Sequence, residues 1–328
     1  MKSYLVNKLF YSTNSDLEKY NVIKKQKIIL LGDGFFARGF LRYIDNNKYI
    51  ITQIYRDEFI NPQDIMYSLQ HNKNYKPLHL RDYFTKPADI KIQTNITELD
   101  ISVSNKVKIN DTFYNYNYLV IGLGANKSLF EWKNEINKIN ETSDINSNII
   151  SIIGMGPTGI ELSCILSETK KINLFDIFSK ETIFKNKENL LKILENKDIK
   201  MMFETKYNSN YSKDFIFCGG TKPNNLTINY KTNNYLQINE NIYMGGDSIN
   251  YTINNNIINY NKTAQVAYQQ GIYVAKRLNG EIDTEFSYDH NGSSLNIGNK
   301  KVLIENHKII PDGIYPDIII KIYSLFCI

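Results

Sequence analysis

The feature that most constrains the fold is a short apolar run followed at once by a glycine-rich turn and a helical stretch. The first copy begins with the run Lys27–Leu31, continues through the sequence GDGFFA (Gly32–Ala37) and enters a helix predicted over Arg38–Asp45. A second apolar run, Tyr49–Tyr55, follows. A buried strand, a tight turn and a helix in this order are typical of a Rossmann-like βαβ unit.

Each small residue of this turn has a distinct predicted role. Gly32 permits the tight turn, Gly34 lets a diphosphate approach the backbone, and Ala37 keeps the helix close to the strand. The start of the helix presents backbone N–H groups and the positive end of the helix dipole to an anion. The motif therefore predicts a dinucleotide site that includes Gly32, Gly34, Phe35 and Ala37.

The unit occurs a second time. A strand predicted over Asn148–Ile153 leads into GMGPTG (Gly154–Gly159), a helix predicted over Ile160–Glu168 and a strand predicted over Lys171–Phe175. Asp176 closes that strand, where an acid accepts a hydrogen bond from a ribose 2′-OH and repels a 2′-phosphate. The second unit therefore predicts a site for NADH in preference to NADPH, formed by Gly154, Gly156, Pro157, Thr158, Gly159 and Asp176.

One such motif is weak support for a cofactor, because glycines between a strand and a helix often serve backbone geometry alone. Two copies, each in the correct context and about 120 residues apart, favour two dinucleotide sites over a duplicated fold without cofactors. Two nucleotide sites in one chain indicate a flavin enzyme that takes hydride from a nicotinamide. FAD and NADH are therefore the predicted cofactors.

Two further strand-and-turn segments fit the flavin half of such a site. Tyr118–Ala125 is an apolar strand that ends in a glycine turn containing Gly124, and Asn241–Asp247 is another with an acid after its glycines. We predict that Asp247 holds the hydroxyl groups of the flavin ribitol. The alternative is an ordinary turn aspartate.

A helix is predicted after the last of these turns. Thr263 is the predicted N-cap, and the helix runs from Ala264 to about Leu278. Gln265 and Gln269 are four residues apart and are therefore expected on one face of this helix.

Taken together, these motifs resemble the type II (single-subunit) NADH:quinone dehydrogenases, within the pyridine nucleotide-disulfide oxidoreductase-like flavoproteins. The glycine motifs are shared by that whole superfamily, whereas AQVAYQQ and NGSSLNIG point to this branch. The matching segments cover most of the chain in the same order: YNYLVIGLGA (116–125), GMGPTGIE (154–161), CGGTKPN (218–224), MGGDS (244–248), AQVAYQQ (264–270) and FSYDHNGSSLNIG (286–298).

The resemblance implies an α/β protein with two Rossmann-like domains. An FAD domain, residues 25–128 and 238–280, is split around an NADH domain, residues 147–237, after an N-terminal extension, 1–24. The implied activity is hydride transfer from NADH to FAD and on to a quinone, without proton pumping.

The resemblance also assigns residues. It adds Gly124, Asp247, Thr263 and Ala264 to the FAD site and Gly220 to the NADH site. The implied catalytic residues are Glu161, near the nicotinamide and the flavin, and Gln265 and Gln269, on the quinone side. The alternative for Glu161 is a first-turn acid favoured by the helix dipole.

The partners implied are a quinone or another small electron acceptor, at the mitochondrial inner membrane inside the cell. The C-terminal segment, 281–328, is predicted to contact a membrane surface or a second copy in a homodimer. Its end, Tyr315–Ile328, is apolar with Lys321 in the middle, so an interfacial segment and a core strand are both open.

The chain departs from the pattern in places. Tyr55 stands where a strand-end acid often binds ribose, with Asp57 and Glu58 as nearby candidates. The second domain has room for only one more helix (Glu188–Glu195) and one more strand (Lys200–Thr205) before its exit turn. A degenerate dinucleotide-binding flavoprotein with little turnover therefore stays open.

Composition excludes other classes. The net charge of +5 is spread along the chain without a basic stripe, which argues against nucleic acid as a partner. Cys164, Cys218 and Cys327 form no pair, so no metal site and no disulfide framework are predicted. An NADH oxidase using oxygen or a disulfide reductase is a third alternative. A disulfide reductase needs a cysteine early in the chain, and none precedes Cys164.

Overall fold

The computed structural model describes residues 24–57, 86–126, 149–185, 188–212, 214–250, 260–290, 293–297, 300–305 and 308–310. The predictions for the extension up to residue 23, for Glu58, for Cys327 and for the tail Tyr315–Ile328 fall outside these ranges.

The first domain is built on a parallel sheet. Its strands are β1 (Gln26–Leu31), β2 (Tyr49–Tyr55), β3 (Ile90–Gln93), β7 (Tyr118–Ile121), β12 (Gln237–Asn239) and β13 (Ile242–Met244). They lie in the order β12–β13–β7–β1–β2–β3, and only β12 is antiparallel to its neighbour. The apolar centre of β1, Ile28–Leu31, is buried throughout, as expected of a parallel strand covered on both faces.

Two helices of this domain cross at a pair of glycines. They are α1 (Phe35–Tyr43) and α5 (Ala264–Asn279). A Cβ at Gly39 would lie 2.2 Å from the carbonyl oxygen of Tyr268, and one at Gly271 would lie 2.0 Å from that of Phe36. The close approach of the two backbones therefore requires glycine at both positions.

A small antiparallel sheet precedes β7 in the chain. It consists of β4 (Leu99–Asp100), β5 (Lys106–Ile109) and β6 (Thr112–Asn115). Val107 and Ile109 are buried in the core of the first domain, so this sheet packs onto that domain.

The second domain has its own parallel sheet and core. Its strands are β8 (Ile149–Ile153), β9 (Lys171–Phe175), β10 (Ile199–Met202) and β11 (Phe215–Phe217), in the order β10–β9–β8–β11. Its helices are α2 (Pro157–Leu166), α3 (Lys180–Ile183) and α4 (Glu188–Glu195).

A third sheet lies in the C-terminal segment. It is antiparallel and consists of β14 (Ser293–Ile297), β15 (Lys300–Glu305) and β16 (Lys308–Ile310). Leu295 and Ile297 of β14 are buried in the core of the second domain. This part of the segment predicted as a membrane or dimer contact thus packs within the same chain.

The two connections between the domains lie side by side. The N–H of Asn126 donates to the carbonyl oxygen of Lys222 at 3.0 Å, and the N–H of Asn224 donates to that of Gly124 at 3.2 Å. Ala125 and Pro223 form an antiparallel bridge between them.

The structure confirms the predicted fold class, two Rossmann-like α/β units, and corrects several boundaries. Both glycine-motif helices begin three residues earlier than predicted, α1 at Phe35 and α2 at Pro157, because Gly34 and Gly156 are their N-caps. Strand β10 ends at Met202, short of the predicted Thr205, because Glu204 adopts a φ of 51°, which a strand does not accommodate. None of the helices within the described ranges is both long and apolar enough to cross a bilayer.

Candidate dinucleotide sites

Three glycine turns lie at one edge of the first sheet. They follow β1, β7 and β13, which are parallel neighbours, so the three strands end at the same edge. In sheets of this kind, ligands bind outside the carboxyl ends of the strands, where the chain order reverses. Here the order reverses between β1 and β7, next to Gly32–Gly34 and Gly122–Gly124.

Some glycines in these turns close the structure. A Cβ at Gly32, where φ is +103°, would lie 2.2 Å from the carbonyl oxygen of Gly122. The buried ring of Phe36 fills the space between the turns, since a Cβ at Gly122 or Gly245 would lie 2.5 or 2.0 Å from its ring atoms. These three glycines are therefore required for packing.

Other glycines leave open space. A Cβ at Gly34 or at Gly124 would have no atom within 4 Å, apart from the chain next to it. Gly34 is exposed and is the N-cap of α1. The structure thus has a cradle at a helix N-terminus that a side chain would fill, and this fits a bound diphosphate. Phe35, predicted to contact FAD, packs partly against the domain core, and Ala37 is buried in it.

A buried amide fixes the first turn from inside the sheet. Gln53 of β2 is fully buried, and its Nε2 donates to the carbonyl oxygen of Gly32 at 2.9 Å and to Oδ1 of Asp33 at 3.0 Å. Arg38 pairs with the other oxygen of Asp33 at 3.3 Å. Gln53 was not among the predicted site residues, although it is the one amide in β2, whose other residues are apolar or aromatic apart from Thr52. Tyr55 ends β2, as predicted.

The Asp247 turn forms the far end of this edge. Asp247 lies in a 3₁₀ turn, Gly246–Ser248, which Gly245 alone separates from β13, and Nζ of Lys262 donates to the carbonyl oxygen of Asp247 at 3.2 Å. Burial raises the pKa of the Asp247 carboxyl, and the charge of Lys262 opposes that rise. Burial lowers the pKa of Lys262, and Asp247 opposes that change in turn.

Side chains from other elements hold the Asp247 turn. Gln270 is fully buried, and its Oε1 accepts the N–H of Gly246 at 2.7 Å. Oγ of Ser248 accepts the N–H of Gly124 at 2.8 Å, which joins this turn to the one after β7. Gln270 belongs to the motif AQVAYQQ, but no role was predicted for it.

The start of α5 matches its prediction. Oγ1 of Thr263 accepts the N–H of Val266 at 3.2 Å, which confirms Thr263 as the N-cap, and Ala264 is the first helical residue.

Gln265 and Gln269 both contact the segment that follows α5. The hydroxyl of Tyr288 donates to Oε1 of Gln265. Nε2 of Gln269 donates to the carbonyl oxygen of Asp289 at 2.7 Å, and its Oε1 accepts the N–H of Asp289 at 3.0 Å. The Gln269 amide therefore makes two hydrogen bonds with the backbone of Asp289, and we call this pair the Gln269 clasp. The role of Gln269 toward a quinone stays a prediction.

The glycines of the second motif fall into the same two groups: some are required for packing, and others leave open space. A Cβ at Gly154, where φ is +110°, would lie 2.7 Å from the carbonyl group of Cys218, and one at Gly159 would lie 1.9 Å from the carbonyl oxygen of Gly154. Gly156, the N-cap of α2, and Gly220, where φ is +93°, have no atom within 4 Å of such a Cβ. Pro157 and Thr158 are exposed at the start of α2 beside this second cradle.

Asp176 lies at the end of β9 and binds the second turn. Its Oδ2 accepts the N–H of Met155 at 2.7 Å, and its Oδ1 accepts that of Phe178 at 3.0 Å. The carboxylate is half-buried beside the cradle, so contact with a ribose stays a prediction. Burial raises the pKa of the Cys164 thiol to about 12, which leaves that thiol unreactive at neutral pH.

The structure corrects the local setting of Glu161. This acid was predicted in the first turn of its helix. Because α2 begins at Pro157 and has no acid in its first turn, Glu161 lies in the second turn. The helix-dipole explanation for this residue is thereby weakened. Glu161 is half-buried, and its role near a nicotinamide stays a prediction.

No protein-family model and no curated protein matches the sequence. Solved structures do match. An NAD-dependent persulfide reductase from A. fulgidus superposes with a TM-score of 0.63 at 18% identity, over 84% of this chain and 63% of that one. NDH2 from Plasmodium falciparum, solved with NADH, gives 0.64 at 16% identity, over 92% and 96%. An engineered water-forming NADPH oxidase gives 0.63 at 16%, over 84% and 74%.

These likenesses define the fold of the chain. All three proteins are named as NAD(P)H-linked enzymes or were solved with NADH. At identities of 16–18%, the superpositions show that this chain shares their arrangement of two Rossmann-like domains. The chain spans less than two thirds of the persulfide reductase but nearly all of NDH2.

Proposed function

We propose that the chain is an FAD-dependent oxidoreductase that takes hydride from NADH and passes the electrons to a quinone, without proton pumping. The observation that carries the proposal is the pair of open glycine cradles, one at Gly34 and one at Gly156, each at a helix N-terminus beside a parallel sheet. FAD, when bound, supplies an acceptor for the two electrons of a hydride.

The residues of the first domain suit FAD. Gly34 leaves room for a diphosphate at the start of α1, and Gly124 leaves room further along the same edge. Asp247 offers a desolvated carboxyl to ribitol hydroxyls. The buried contacts of Gln53 and Gln270 hold the turns in place without occupying either opening.

The residues of the second domain suit NADH. Gly156 and Gly220 leave open space beside α2, and Asp176 lies at the end of β9 next to it, where we expect its negative charge to face the ribose and to repel a 2′-phosphate. The likeness to NDH2 solved with NADH supports the choice of donor.

The choice of acceptor is the finer part of the proposal. Quinone follows from the face formed by Gln265 and Gln269, which resembles the quinone-side helix of type II dehydrogenases, and from the near-complete overlap with NDH2. An intracellular site with a peripheral membrane contact belongs to the same proposal. The likeness to a water-forming NADPH oxidase makes oxygen the competing acceptor.

Two matched substitutions test the cofactor assignment. Gly34→Val and Gly156→Val each place a side chain in an open N-cap cradle with similar backbone angles. We expect Gly34→Val to lose FAD absorbance, and Gly156→Val to keep FAD while losing its bleaching by NADH. Wild-type protein that remains colourless after incubation with FAD would refute the assignment.

The same bleached wild-type protein decides the acceptor. Reoxidation by a short-chain quinone is expected to be at least tenfold faster than by oxygen. The reverse order would support the oxidase alternative. Flavin that NADH does not bleach would support the degenerate flavoprotein.

A further inference from the structure

The sheet order fixes which way a bound dinucleotide runs along the first edge. In Rossmann-like units the adenosine ribose lies at the end of β2, and the diphosphate lies at the turn after β1. The other half of the molecule must therefore continue past β7 and β13, on the opposite side of β1 from β2. That path leads over Gly124 to the Asp247 turn and the start of α5.

A lysine lies at the end of this path. Lys262 directly precedes the N-cap Thr263, is half-buried, and donates from Nζ to the carbonyl oxygen of Asp247 at 3.2 Å. This contact ties the ammonium group to the turn instead of leaving it in solvent. The N-terminal end of α5 adds positive potential beside the same group.

The lysine matters because a carboxyl group lies next to it. When charged, Asp247 repels any further negative charge placed beside its turn. The positive charge of Lys262 counteracts the charge of Asp247 and attracts such a group instead.

We infer that Lys262 sets the redox preference of the flavin site by stabilising the negative charge that the bound ring gains when it is reduced. The inference rests on the proposed function. The hydride carries one proton and two electrons from NADH to the ring. NAD⁺ therefore remains, and the ring gains one unit of negative charge. A cation that interacts more strongly with the reduced than with the oxidised cofactor shifts that equilibrium toward reduction.

The test is the reduction potential of the bound flavin in three full-length variants. Lys262→Met removes the charge, Lys262→Arg keeps it, and Lys276→Met removes a lysine from the other end of α5, about 20 Å away. We expect Lys262→Met to shift the equilibrium about tenfold toward the oxidised form, which is about 30 mV for a two-electron couple. Lys262→Arg is expected to stay within about threefold of wild type, and Lys276→Met to leave the potential unchanged.

The outcomes separate the inference from the proposed function. If wild-type protein binds no flavin, the proposed function fails and takes the inference with it. If flavin is bound and Lys262→Met and wild type share one potential, the inference is wrong while the proposed function stands. If Lys262→Met and Lys262→Gln both fold, as judged by circular dichroism, but bind no FAD, Lys262 serves binding of the oxidised cofactor and the inference is overturned.

Discussion

At the scale of residues, the two glycine turns are fixed by different side chains. In the first, the Gln53 amide donates to the turn from inside β2, whereas in the second the Asp176 carboxylate accepts from the turn at the end of β9. Both satisfy backbone groups that the turn leaves without a partner in the sheet. The carboxylate also adds a charge beside the second cradle, which the first turn has only as Asp33 paired with Arg38.

The raised pKa of Asp247 predicts how the stability of the FAD-free protein depends on pH. Its pKa in the folded protein is raised above the ordinary value of 3.8 because burial disfavours the charged form. The stabilisation from the protonated carboxyl is therefore complete below pH 3.8 and is lost as the pH rises through the raised value. Asp247→Asn should make the FAD-free protein more stable than wild type at pH 7, by an amount that shrinks toward pH 3.8.

Thermal melting at the two pH values measures this effect, and FAD titration of the same variant provides the control. Asp247→Asn should bind FAD more weakly than wild type, by about tenfold or more, because a neutral amide accepts weaker hydrogen bonds from hydroxyl groups than a carboxylate does. If Asp247→Asn is less stable than wild type at pH 7, burial of the charged Asp247 carboxylate does not destabilise the folded protein.

At the scale of elements, α5 serves three neighbours at once. Gly271 lets it cross α1 closely, Gln270 holds the Asp247 turn, and Gln269 clasps the backbone of Asp289. The residues at 269 and 270 thus point to different partners although they are adjacent in sequence, as a helical repeat requires.

The Gln269 clasp predicts how firmly the following segment is held. Each hydrogen bond contributes about 1 kcal/mol. Gln269→Ala removes two such bonds and should therefore speed hydrogen exchange at the Asp289 N–H by roughly thirtyfold. Gln269→Glu keeps an acceptor for that N–H but loses the donor, so an intermediate rate is expected. Exchange unchanged in Gln269→Ala would show that the clasp does not hold the segment in solution.

Sequence reasoning reached some of this structure and missed the rest for identifiable reasons. Strand β9 and helix α4 have the predicted bounds, because their patterns are local. Gln53, Gln270 and Lys262 were not assigned, because each acts on a turn more than ten residues away in sequence. Whether such a polar residue is buried or solvated depends on tertiary packing that a local pattern does not contain.

At the scale of the whole molecule, the link between the domains is tied to the Asp247 turn. Thr227 is fully buried, and its hydroxyl is 3.1 Å from the carbonyl oxygen of Asn224, in the returning connection, and 3.0 Å from that of Ser248. The place where the chain re-enters the first domain is therefore joined to the sheet edge that is proposed to hold FAD.

This arrangement predicts a long-range effect of one hydroxyl. Thr227→Val keeps the shape but removes the single hydroxyl hydrogen that these two carbonyl oxygens share, so the Ser248 carbonyl oxygen at the buried contact loses this donor, which should cost about 1–3 kcal/mol. Urea unfolding measures the loss, and Thr221→Val, in the exposed part of the same connection, is the control. We also expect Thr227→Val to release FAD faster than wild type. Equal stability of Thr227→Val and wild type would exclude this coupling.

The bridge between Ala125 and Pro223 also bears on how such a chain can arise and be rebuilt. The polypeptide leaves the first domain and comes back to it at adjacent points. A gene can therefore gain or lose the segment between these points without separating the two parts of the first domain. For an engineer, a short loop from Ala125 to Pro223 is a natural place to excise that segment, provided that β14 is redesigned as well, because its Leu295 and Ile297 belong to the core of the second domain.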